Sequence, residues 1–100
     1  MAPKTVVWTR PARQDLLNVV AYLALDAQAP SALDDIEAAA SALADFPDRG
    51  RIVPELGSPR RELLIRDYRL VYRVRAEVEV LRLLHGRQDF TRAWRRGPHR

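Results

Sequence analysis

The segment Glu62–Phe90, ELLIRDYRLVYRVRAEVEVLRLLHGRQDF, does most to limit what this chain can fold into. Three short apolar stretches, Leu63–Ile65, Tyr68–Val74 and Val78–Leu84, are separated by Arg66-Asp67 and Arg75-Ala76-Glu77, polar breaks of hairpin length. That pattern predicts a β-meander. Within its middle stretch Tyr68, Leu70, Tyr72 and Val74 share one strand face, while Arg69, Val71, Arg73 and Arg75 share the other. One face therefore seeks a core, and the other carries cations.

The residues before the meander must supply that core. Thr5–Trp8 reads as a strand, and Thr9-Arg10-Pro11 as a helix start, with a hydroxyl for capping and proline in the first turn. Ala12, Leu16, Val19, Val20 and Leu23 then recur at three- and four-residue spacing, predicting an amphipathic helix that ends near Ala24–Asp26. Pro30-Ser31 restarts a helix whose stripe is Leu33, Ile36, Ala40 and Leu43, stopped by Phe46-Pro47. Asp48–Arg51 is a turn cluster, and Ile52–Arg61, with Pro54, Gly57 and Pro59, reads as irregular. The expected architecture is α+β in the order β-α-α-β-β-β: a two-helix hairpin packed on one face of a small, mainly antiparallel sheet, with the first strand beside a C-terminal one.

One hundred residues without a spacer or repeat fit one domain, 1–100, with 91–100 a basic tail. The 17 Lys+Arg against 13 Asp+Glu give a formal charge of +4, which favours an anionic partner without specifying it. The lack of cysteine removes disulfides, thiolate metal sites and a cysteine nucleophile together. No stretch has the length or apolarity of a signal peptide or a membrane span, so the expectation is a cytoplasmic protein.

Arg66, Arg69, Arg73, Arg75, Arg82 and Arg87 offer planar donors for phosphate or carboxylate. His85 and His99 are the only histidines. Neither has a carboxylate cluster at metal-ligand spacing, so no metal or cofactor is expected. His85 has the chemistry of an acid or base near neutral pH, but at a strand end it is also an ordinary hydrogen-bonding residue. Trp8, Trp94 and Phe90 have the rings to stack bases. Tyr68 and Tyr72 belong to the core face, and Trp94 sits in the basic stretch TRAWRRGPHR.

The order of elements, the Ala12–Leu16 region followed by Tyr22, the Phe46-Pro47 and Gly50-Arg51 turn, Arg61-Glu62, Tyr68–Val74 and His85-Gly86-Arg87-Gln88-Asp89 together resemble the RelE/ParE toxin superfamily. The resemblance implies a toxin of a type II toxin–antitoxin system, associated with plasmid stabilization and bound to a cognate antitoxin in a hetero-oligomer. RelE-like members cleave mRNA on the ribosome, using basic residues and an aromatic to stabilise charge at the scissile phosphate; on that pattern Arg69, Arg87 and His85 are the catalytic candidates. ParE-like members poison DNA gyrase and are not nucleases. Around Arg61-Glu62-Leu63 the chain offers one cation where the RelE-like pattern has a lysine pair, its only lysine is Lys4, and no tyrosine follows Arg87. Arg61-Glu62 and the His85–Asp89 ending are similar to the ParE branch. The expected function is gyrase inhibition, with Arg69, Arg73, Arg87, Trp94, Arg95 and Arg96 as target-binding residues. The alternatives are a ribosome-dependent endoribonuclease and a degenerate antitoxin-binding domain.

Overall fold

Thr9 decides where the first strand becomes the first helix. The computed structural model describes residues 2–23, 29–53 and 60–86. In it β1 (Val6–Trp8) turns directly into α1 (Arg10–Leu23). The Thr9 hydroxyl lies 3.4 Å from the Ala12 N–H, as a capping oxygen does, and donates to the carbonyl of Val80 at 2.9 Å. One side chain thus caps the helix and pins it to the last strand. After α2 (Ala29–Ala42) come β2 (Arg51–Ile52), β3 (Arg60–Ile65), β4 (Tyr68–Val74) and β5 (Val78–His85).

The five strands form one sheet in the order β1-β5-β4-β3-β2. β1 runs parallel to β5, pairing Val6 with Val78 and Trp8 with Val80, and every other pairing is antiparallel. The helical hairpin, the antiparallel meander and the placement of β1 beside a C-terminal strand agree with the sequence. Two details differ. Arg51, expected in the turn cluster, and Ile52, expected to open the irregular stretch, pair with Glu62 and Arg61 and so extend the sheet by a two-residue edge strand. Charged residues masked this pairing, because an edge strand needs backbone partners more than apolar side chains. Val20, expected in the apolar stripe of α1, is 40% exposed, and the helix turns Ala12, Val19 and Leu23 inward instead.

The core lies between the helices and one sheet face. Ile36, Leu43, Leu70, Tyr72, Val78 and Val80 are all fully enclosed there, each large aliphatic contributing about 1.5–3 kcal/mol on burial. An irregularity in β5 keeps this face apolar. Val71 pairs with Arg82 but Tyr72 pairs with Val80, so Leu81 is an extra residue in β5. Strict alternation from Val78 and Val80 would have pointed Arg82 into the core; the bulge puts Leu83 there, opposite Leu70, and turns Arg82 away.

The turns are held by specific contacts. The Tyr72 hydroxyl accepts from the Gly50 N–H and donates to the Pro47 carbonyl, both at 2.7 Å. A Cβ on Gly50 would stand 2.7 Å from the Glu62 carbonyl and from the Tyr72 ring, so only glycine fits that approach. In the β3–β4 hairpin Arg66 has φ 53°, a left-handed conformation. Its guanidinium reaches α2, donating to Asp35 and Ser31 at 2.7 Å each.

Candidate functional site

The sheet face turned away from the helices carries the chemistry anticipated from β4. Register places Arg51, Glu62 and Val71 in one row, Leu64, Arg69 and Leu84 in a second, and Arg60, Arg73 and Glu79 in a third. The arginines do share a face. They are, however, interleaved with carboxylates that sequence reading had not assigned to them.

Glu62 is the centre of this arrangement. Its side chain is fully buried, and Arg51 binds Oε1 at 2.6 Å while the Arg69 guanidinium faces Oε2 at 3.6 Å. Oε2 takes no hydrogen bond among the described residues. One enclosed carboxylate therefore orients two arginines on neighbouring strands, one of them half-buried and the other largely in solvent. Arg73 is paired with Glu79, directly opposite on β5. The signal for both pairs was present in the sequence, since Glu62 and Glu79 alternate onto the arginine face, but it needed the strand register to be read.

Of the target-binding candidates, the structure brings Arg69 and Arg73 together on this face. Arg87, Trp94, Arg95 and Arg96 lie outside the described residues, as does the whole 91–100 tail. His85, the third catalytic candidate, is not on the arginine cluster. It ends β5 with its ring edge-on to Tyr68, centroids 5.4 Å apart at 86°. Tyr68 has its phenol pKa raised by burial first, then by Tyr22 and Asp67.

Beside His85 is a second feature, which sequence reading missed. β1 accompanies β5 only as far as Val80, and beyond that point α1 flanks the strand. There Asp15 accepts from Arg82 at 2.7 and 3.0 Å and from the Leu83 N–H at 2.9 Å, standing in for an absent strand partner. A cavity of about 440 Å³ opens next to this pair, with Asn18 and Tyr22 from α1 and Tyr68 and His85 on its walls. Among the described residues no group of three or more His, Asp or Glu is placed to hold a metal ion, and no helix is long and apolar enough to cross a membrane.

The model of the family described as "ParE toxin of type II toxin-antitoxin system, parDE" matches residues 6–90. The chain belongs to the ParE toxin family. This ParE-family chain is 33% identical over 94 residues to "Putative toxin Y4kP" of Sinorhizobium fredii (strain NBRC 101917 / NGR234), covering 90% of this chain and 96% of that one. Its fold is that of a solved chain from "Chromosomal ParDE TA system from P. aeruginosa", with a TM-score of 0.69, 23% identity, and coverage of 82% of this chain and 95% of the other. As a member of a toxin–antitoxin family it has an antitoxin for a partner.

Proposed function

We propose that this ParE-family toxin acts in the cytoplasm by inhibiting DNA gyrase and so blocking replication, and that its target-contacting surface combines Arg69 and Arg73 with Arg87, Trp94, Arg95 and Arg96. The observation that carries the reading is the ParE family match across residues 6–90. The geometry of the arginine face supports it. Arg69 is held by Glu62 and Arg73 by Glu79, so both guanidiniums are fixed side chains of the kind that make contacts at a protein surface. A ribonuclease of the RelE kind needs its cations directed at a scissile phosphate, and a carboxylate beside each one opposes that use.

The test is a gyrase assay with purified protein and supercoiled plasmid. Gyrase-dependent linear DNA should accumulate with the wild type and fall at least several-fold with Arg69→Ala or Arg73→Ala, while mRNA on programmed ribosomes stays intact. Codon-positioned mRNA cleavage that vanishes in Arg69→Ala would replace this reading with the endoribonuclease. Antitoxin binding without effect on either target would leave the degenerate domain.

A further inference from the structure

We infer that Arg51 belongs to the target-contacting surface beside Arg69, and that Glu62 is the positioning residue that presents the two guanidiniums together to carboxylates of the target protein. This rests on the gyrase reading and adds to it one contact residue and the group that aims it.

The buried carboxylate is the first observation. Glu62 is 2% exposed and stands between Arg51 on β2 and Val71 on β4, the latter fully enclosed. Stability alone does not ask for a charge there, because well-packed apolar side chains commonly match or exceed an enclosed ion pair. Oε2, moreover, takes no hydrogen bond among the described residues. What the carboxylate does supply is direction. Nε and Nη2 of Arg51 both lie 2.6 Å from Oε1, and Nη1 of Arg69 lies 3.6 Å from Oε2.

The second observation is the reach of Arg51, which sits on a two-residue edge strand with its side chain 65% exposed. A long side chain so placed would ordinarily lose rotamer freedom on meeting a partner; the grip of Glu62 removes that freedom beforehand. The grip uses one edge of a guanidinium that has five donors, and the others remain for a partner's acceptor. The third is the backbone. Gly50, next to Arg51, lies so near the Glu62 carbonyl that a Cβ would stand 2.7 Å from it. The segment that delivers Arg51 is thus pressed against the residue that aims it. The partner's chemistry follows from Leu64, which pairs with Arg69 across the strands and is 66% exposed. An apolar side chain beside a guanidinium suits a protein surface with acidic residues better than a phosphate backbone, whose contacts are ionic.

The experiment measures binding of the full chain to purified gyrase without DNA, with melting curves recorded alongside. Glu62→Gln keeps the shape and removes the charge, while Arg51→Lys keeps the charge that neutralises Glu62 but not the two-donor grip. Ile36→Val, in the core on the opposite side of the sheet, is the control for lost stability. Each of the first two variants, at a temperature where it is folded, should bind at least about fivefold more weakly, and the double variant should be no more than about twofold worse than the weaker single one, because both break the same contact. Ile36→Val should bind as the wild type does. Wild-type affinity in either of the first two overturns the inference, and where Glu62→Gln does not fold, Arg51→Lys decides alone. Losses that multiply in the double variant, or an equal loss in Ile36→Val, also overturn it, since Glu62 then acts through the fold as a whole. A loss that appears only with DNA present overturns the choice of carboxylates and assigns the pair to phosphate. Gyrase that does not bind the wild type overturns the gyrase reading itself, and this inference with it.

Discussion

The two faces of strand β4 are held by different physics, although they share one backbone. On the helix side Leu70 and Tyr72 are enclosed by aliphatic neighbours, and the stabilisation scales with area removed from water. On the other side Arg69 and Arg73 are held by carboxylates, of which Glu62 is buried and Glu79 is not. Apolar burial is tolerant of which hydrophobe is used, whereas a buried carboxylate is costly unless its particular partners remain. The first face therefore encodes the fold, and the second encodes the placement of a few charged groups.

The contrast is broken or sharpened most strongly by Leu70→Ala, which should cost about 2–5 kcal/mol in urea unfolding. Glu62→Gln keeps the shape but removes the charge that holds Arg51 and Arg69; we expect about 1–3 kcal/mol, with the wild-type advantage shrinking in high salt because Arg51 is 65% exposed. Equal losses for the two variants at all salt concentrations would remove the distinction between the faces.

A smaller effect should appear at alkaline pH. The Tyr72 phenol is raised chiefly by burial and further by Asp48, against the Gly50 hydrogen bond and nearby Arg61 and Arg49, and Tyr68 is raised as well. The unfolded chain then releases these protons first. Stability from these groups is complete below the ordinary tyrosine value near 10 and falls as pH rises through the folded values. Melting temperatures across that range should drop less steeply in Tyr68→Phe than in the wild type, and parallel curves would show that its phenol does not contribute.

The smallest change is expected for Arg66→Gly. Glycine relaxes the φ of 53° while the exposed bridge to Asp35 is lost; the two effects are each within about 1 kcal/mol and opposed. A net change above that size in urea unfolding would show that one of them has been misjudged.

The same division explains what could be read from the sequence. The helices and the meander were legible because Ile36, Leu43, Leu70 and Tyr72 obey simple periods. The pairing of Arg51 with Glu62 and the strand β2 were not, because register between distant segments decides them. Asp15 was equally silent: on α1 it reads as a solvated carboxylate, and only the early end of β1 brings it to Arg82 and Leu83. The bulge at Leu81 hides in a continuous apolar run, where alternation gives no warning of a change of phase. At the candidate surface, Arg69 and Arg73 could be named from the pattern, but their carboxylate partners required the fold.

The parallel pairing of β1 with β5 has a consequence for how this toxin comes into being. Val6 and Val78 are partners, and the Thr9 hydroxyl is tied to Val80 across 71 positions of sequence. The first strand to leave the ribosome therefore has nowhere to dock until the last strand has followed it out. Contacts of such long separation form late and cannot be completed on a partial chain. A product truncated before β5 lacks its closed sheet, so a folded surface for any partner exists only once β5 has been made.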